Sequence, residues 1–187
     1  VYLLDSDTRV EPDALAALLP YRRPEVFAVA SQIFFADATR RREETGWSDF
    51  TIHGAEVKMF GREPEPDGMT RGSLYPSGGS SICRADVLRR YAADTACYSP
   101  FSYEDAEWGA RAWIDGWEVL FCPTSRVHHH HRGTLYRYYA AAEVERVTRR
   151  NATLFELRHA WTDMTPGRAM SHALDNDGRT SAELLSP

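Results

Sequence analysis

The chain has 187 residues, 43% of them hydrophobic and 12% aromatic, enough for one sizeable core within the usual size of a single domain. Its formal net charge is −5, Lys58 is its one lysine, and no stretch has the concentrated basic excess of a nucleic-acid footprint, which argues against nucleic acid as a partner. No run of roughly 18 apolar residues would span a bilayer and no signal peptide opens the chain; Cys83, Cys97 and Cys122, odd in number and scattered, read as reduced thiols of a cytoplasmic protein.

In chain order, "VYLL" is a short apolar run that predicts a buried parallel strand ending at Asp5. A chain that opens on such a strand with no polar leader reads as a portion of a larger fold whose first part lies upstream. Pro12, Asp13 and the spacing of Leu15, Leu18 and Leu19 predict a helix, and "EVFAVASQIFF" a second strand. Strand, helix, strand is the unit of an α/β fold. Residues 36–77 are polar, with a helix expected around "TRRREETGWSDF" and then a long irregular Gly/Pro-rich segment of the kind that forms functional lids. "SSICRADVLRRYAA" predicts a strand and a helix. "SYEDAEWGARAWIDG" predicts a helix with Ser102 as N-cap, acids in its first turn and Gly116 just past its end. "WEVLFC" is a strand, "PTS" a turn and "RVHHHH" an extended stretch. "LYRYYAAAEVERVTRRNATLFELRHAW" predicts a long helical segment that packs on the body, so that residues 1–160 form the domain and 161–187 a loosely ordered tail.

Four constellations could carry chemistry. Asp5-Ser6-Asp7 follows a strand end, where open α/β sheets bind ligands; if strand geometry persists both carboxylates share one side and could meet a hard divalent cation, or Asp7 simply starts a turn. Tyr103, Glu104, Asp105 and Glu107 open a helix whose dipole stabilises carboxylates, which suits a general base; Ser102 with Asp105 also fits a capping box with no chemistry. Among His128 to His131, alternation sends His129 and His131 to one side and the others to the opposite side, so at least one could complete a cation's shell while the rest pack or bind phosphate. Gly78 and Gly79 permit close backbone approach to a ligand, although "YPSGGSSICRADVL" matches no phosphate-binding loop and is by itself a turn.

Taken together and in this order, "LLDSD", "SGGSSICRADVL", "YEDAEWGARAWIDGWEV" and "PTSRVHHHH" resemble the second half of the catalytic domain of a family 2 glycosyltransferase, over about Val1 to Arg158. The resemblance implies a GT-A, Rossmann-like α/β fold with a mostly parallel central sheet flanked by helices and its N-terminal part missing. It implies that Asp5, Asp7 and His129 bind Mn2+ or Mg2+ and that Asp105 deprotonates an acceptor hydroxyl with Glu104 beside it. It further implies that Ser6, Gly78 and Gly79 contact the donor, and that Tyr75, Tyr103 and Trp108, with Trp47, offer faces to the acceptor. The reaction implied is inverting transfer from a nucleoside diphosphate sugar, UDP- or dTDP-linked, to a glycan or glycolipid in bacterial cell-surface glycan biosynthesis. The place implied is the cytoplasm, with peripheral association at the inner face of the membrane as one option. "ARAWIDGW" is similar to galactofuranosyl- and rhamnosyltransferases, and the absence of Q-x-x-R-W after the histidines favours a non-processive enzyme. The rival readings are a metal-dependent hydrolase and a non-catalytic carbohydrate-binding domain.

Overall fold

The structure, a computed structural model, describes residues 1–37, 39, 46–53, 56–130 and 134–159, the side chains of 51–58 excepted. The expected helix around 39–50 falls partly, and the tail from 161 and His131 wholly, outside the described residues.

The centre of the fold is β3 (Val26–Phe35) beside β8 (Glu118–His129), paired in parallel from Val26 opposite Glu118 to Phe35 opposite His129. The stretches Val26–Ala30 and Val119–Cys122 are apolar and buried on both faces, as strands covered on two sides require. On one face Phe27 and Val119 pack with Val87 and Tyr91 of α2 (Ala85–Ala92) and Trp113 of α3 (Glu104–Ile114). On the other, Val26, Val29, Leu120 and Cys122 enclose Leu18 of α1 (Ala14–Leu18). The expected α1 is present but short: Leu18 is buried, Leu15 stays exposed, and Leu19, also exposed, already belongs to the 3-10 turn that follows.

The sheet is mixed, which corrects the expectation of a mostly parallel one. Its order is β1 (Tyr2–Leu4), β7 (Ser80–Cys83), β3, β8, β2 (Thr8–Val10), with β6 (Arg71–Gly72) also on β8. Among the described residues only the β3 and β8 pair is parallel. The reason is β7: it inserts antiparallel between β3 and β1, so the strand that carries Asp5 at its end is an antiparallel edge strand and only half-buried. A second departure is the hairpin of β4 (Ser48–His53) and β5 (Glu56–Gly61): β4 starts at the end of the stretch expected to be helical, where 48–50 are strand, and the hairpin runs on into the segment expected to be irregular. The second half of that segment is not a lid either: Ser73, Leu74 and Thr70 are buried, and Trp113 Nε1 donates to Ser73 O at 3.0 Å.

Two local features place the site. In β8 the register jumps from Ser31 opposite Cys122 to Gln32 opposite Arg126, so Pro123 to Ser125 bulge out where a proline costs no ladder bond. Ser125 Oγ then bonds Ser31 Oγ and Ala14 O, each at 2.8 Å, tying α1 to the bulge. Beyond it the strand continues to His129, so the expected turn and extended stretch are one strand. At the C-terminus of α3, Gly116 has φ +82°, its N–H donates to Trp113 O and that of Trp117 to Ala112 O, a Schellman ending that feeds β8.

Candidate active site at the ends of β1 and β8

Asp5 leaves β1 with its N–H bonded to Gly79 O at 3.0 Å, and Thr8 N–H closes a turn onto Asp5 O at 3.1 Å. Asp7 therefore does not reach the side of Asp5 by strand alternation; a turn brings it there. β2 then pairs with the end of β8, Thr8 opposite His129, and His130 N–H donates to Asp7 O at 3.0 Å. This antiparallel register carries Asp7 across to a histidine 122 positions later in sequence.

His129 Nε2 lies 3.1 Å from Asp7 Oδ1 and 4.0 Å from Asp5 Oδ2, and one donor atom from each residue falls within 4.8 Å of the others. Two carboxylates and an imidazole are a donor set suited to a divalent cation. Thr134 N–H donates to Asp7 Oδ2 at 3.2 Å. Burial alone would raise the Asp7 carboxyl, but the Thr134 bonds and His129 outweigh it and hold the group below the usual aspartate range. Gly79 is required by the cluster: a Cβ there would come within 2.3 Å of Asp5 Oδ2. His128 is turned away, bonded to Glu11 at 2.9 Å and stacked on Phe34, as the packing alternative for part of the tetrad foresaw.

Across the same cleft stands the start of α3. Ser102 does not cap it: Ser102 and Tyr103 both have left-handed backbones, φ +71° and +79°, and Tyr103 is the N-cap without a side-chain bond. The Asp105 carboxylate accepts Gly78 N–H at 3.2 Å through Oδ2 and Ala106 N–H at 2.8 Å through Oδ1. Burial first, and then the neighbouring Glu104, push its pKa up to about 7, since these outweigh the amide bonds. Glu104 is raised as well, by burial and by the charge of Asp5.

The cleft between the two groups is a cavity of about 720 Å3 whose wall includes Asp5, Ser6, Asp7, His129, Gly78, Gly79, Glu104 and Asp105. Tyr75, Tyr103 and Trp108 line it too, so the residues that the resemblance assigns to cation, base, donor and acceptor meet here, Trp47 excepted. Tyr75 and Trp108 also lean on the core, and Tyr103 packs on Phe155 at 5.7 Å between ring centroids. Trp47, in contrast, is a core residue: it is buried, stacked on Phe121 at 5.7 Å, with Nε1 bonded to Gly72 O.

Sequence reasoning missed Phe101, Tyr138 and Tyr139 on the cleft wall and the network behind it. Glu107, on the far side of α3, is buried and accepts from Tyr98, Arg111, Arg158 and His159 at 2.8 to 3.2 Å. Burial would raise its pKa, but the bonds from His159, Arg111 and Tyr98 overcome this and leave it far below the usual glutamate range. The sequence signal lay in α5 (Ala141–His159), which the extended Tyr139 separates from the short α4 (Leu135–Tyr138), so the expected long helical segment is two helices; in α5 a polar Asn151 shares the buried stripe of Val144, Val147 and Phe155.

Residues 1–151 match the model of glycosyl transferase family group 2, and the chain belongs to that family. Its class is therefore a glycosyltransferase, and the GT-A fold expected from the resemblance stands with it. Among the solved structures that match is the crystal structure of GalNAc-T7 with UDP, GalNAc and Mn2+. It is 20% identical with a TM-score of 0.45 over 68% of this chain, and the match covers 26% of the longer protein. No curated protein matches the chain. No helix among the described residues is long and apolar enough to cross a membrane.

Proposed function

We propose that this cleft transfers a sugar from a nucleoside diphosphate sugar to an acceptor hydroxyl with inversion, Asp105 acting as the general base. The observation that carries the reading is the pairing, across one cavity, of the Asp5, Asp7 and His129 donor set with a carboxylate whose pKa is raised to about 7. Asp5, Asp7 and His129 would hold Mn2+ or Mg2+, and such an ion supplies Lewis-acid stabilisation of the leaving diphosphate. The remaining work falls to side chains and backbone of the chain.

Gly78 and Ala106 hold the two Asp105 oxygens, fixing the plane of the carboxylate that faces the acceptor. As the acceptor oxygen forms its bond to the anomeric carbon, its proton passes to Asp105 and the anomeric carbon's bond to the phosphate oxygen breaks, the electron pair leaving with the diphosphate. A base of pKa near 7 is half deprotonated at neutral pH yet basic enough to accept that proton. Ser6 and the Cβ-less Gly78 and Gly79 leave room for the donor beside the cation cluster. Tyr75, Tyr103 and Trp108 present ring faces that bind the acceptor sugar by stacking and restrict water. The donor is a UDP- or dTDP-sugar and the acceptor a glycan or glycolipid of the bacterial surface, met in the cytoplasm or at the inner face of the membrane.

The test is a transfer assay with Mn2+, a panel of nucleoside diphosphate sugars and mixed glycan acceptors, run on the chain and on Asp105→Asn. Diphosphate release that depends on acceptor and falls by about 10²- to 10⁴-fold in the variant is expected. Hydrolysis of simple phosphoesters or amides without any nucleotide sugar would overturn the reading in favour of a hydrolase.

A further inference from the structure

α5 buries one polar residue completely. Asn151 is 0% exposed, on the stripe that otherwise buries Val144, Val147 and Phe155. Its Nδ2 lies 2.7 Å from Tyr98 O, 2.8 Å from Phe101 O and 2.9 Å from Ser102 O, while its Oδ1 accepts from Arg150 Nε and Nη2. That set fixes the amide orientation, because a flipped amide would face three carbonyl oxygens with its own oxygen. Arg150 Nη2 also reaches Ser99 O. Residue by residue, α5 grips the carbonyls of the loop that leads into α3.

That loop needs gripping. Ser102 and Tyr103 are consecutive left-handed residues, a conformation that is sterically unfavourable for any residue with a Cβ. Tyr103 O accepts Glu107 N–H, so the path of the loop sets the first turn of α3, where Glu104 and Asp105 stand. Pro100 to Tyr103 also line the cleft. The cation cluster, by contrast, is held by β1, β2 and β8, which Asn151 does not touch.

We propose that Asn151 is a positioning residue that holds residues 98–103 on their strained path and thereby aims Tyr103 and Asp105 into the cleft. The inference rests on the reading of Asp105 as the base. It predicts that loosening the loop costs kcat and leaves cation binding alone.

The variants are Asn151→Asp, which keeps the shape and the acceptor for Arg150 but loses the donor, and the same change combined with Ser102→Gly. Glycine takes a left-handed backbone without steric cost, so it should restore what the lost donor no longer enforces. Asn151→Asp should lower kcat about 100-fold, with donor KM within about twofold. Amide hydrogen exchange at 104–107 should speed by about tenfold or more while that at 118–122 and the Mn2+ affinity stay put. Adding Ser102→Gly should recover about tenfold in kcat, a coupling that a packing role would not give. Exposed Arg150→Ala, which needs no refolded core, should show the same exchange pattern with a kcat loss of about three- to tenfold.

Unchanged kcat and exchange in both Asn151→Asp and Arg150→Ala, uniform acceleration across the sheet, or additive effects in the double variant would overturn the proposal. If the unaltered chain transfers no sugar, the reading of Asp105 fails, and the exchange pattern alone still decides whether Asn151 holds the loop.

Discussion

Asp105 is the residue on which the chemistry turns, and its raised pKa has two opposed consequences. As a base it must be deprotonated, so kcat/KM should climb with pH through about 7 and level off above it. For stability the sign reverses: a carboxyl whose folded pKa exceeds its unfolded value of 3.8 binds more protons when folded, so its burial destabilises the fold increasingly as pH rises from about 4 to about 7. Asp105→Asn should therefore lower turnover by about 10²- to 10⁴-fold and yet gain about 1 to 2 kcal/mol at pH 8, allowing for the open side of the cleft, with no gain at pH 3.5. A thermal melt at the two pH values checks this; equal melting points for variant and parent at pH 8 would refute it. Gly79 offers a complementary test on the cation side. Its missing Cβ would lie within 2.3 Å of Asp5 Oδ2, the end of an exposed side chain that can swing away, so Gly79→Ala should fold normally and weaken Mn2+ binding by about tenfold.

Among the elements, α3 ties the cleft to the core. A Cβ on Gly109 would meet Tyr75 Cα and Cβ at 2.4 Å and Leu74 O at 2.5 Å, backbone that cannot step aside without lifting the helix. Gly109→Ala should cost about 2 kcal/mol or more, read as a fall in melting temperature, with activity lost at temperatures where the chain is still folded. Much of this frame was legible beforehand. The apolar runs of β3 and β8, the acidic start of α3 and the glycine after its end announce themselves because periodicity and punctuation are local. The hairpin of β4 and β5 was not legible, because the polar Gly/Pro-rich setting masked a short period-two alternation. Nor was the N-cap of α3: Ser102 with Asp105 spells a capping box, but the grip of Asn151 on three loop carbonyls wins over that local preference. The parallel sheet failed for the same reason, since β7 pairs between strands far from it in sequence and no local pattern encodes pairing direction.

In the whole molecule, long-range register assembles what no segment holds. Asp5 comes from an edge strand, Asp7 from a turn, His129 from the far end of the central strand, and Asp105 from a helix seated by α5. Their types and order were readable; their convergence required the β2 and β8 pairing and the bulge at Pro123. Glu107 is the matching long-range tie, bonding α3 to Arg158 and His159 of α5. Its pKa lies below the unfolded value of 4.5, so its stabilisation is present above that pH and is lost as pH falls through its folded value. Glu107→Gln should destabilise the chain by about 3 kcal/mol at pH 7, because buried and half-buried cations lose their counter-charge, and should do little at strongly acid pH. A urea titration at pH 7 with an unchanged midpoint would contradict it.

The most direct test of a cation-holding, sugar-transferring cleft is a calorimetric titration of Mn2+, with and without UDP, into the chain and into Asp7→Ala and His129→Ala. Binding that UDP strengthens and that both substitutions abolish is the expected result. Binding that survives either substitution, or that ignores UDP, would contradict a shared donor-site cation at Asp5, Asp7 and His129.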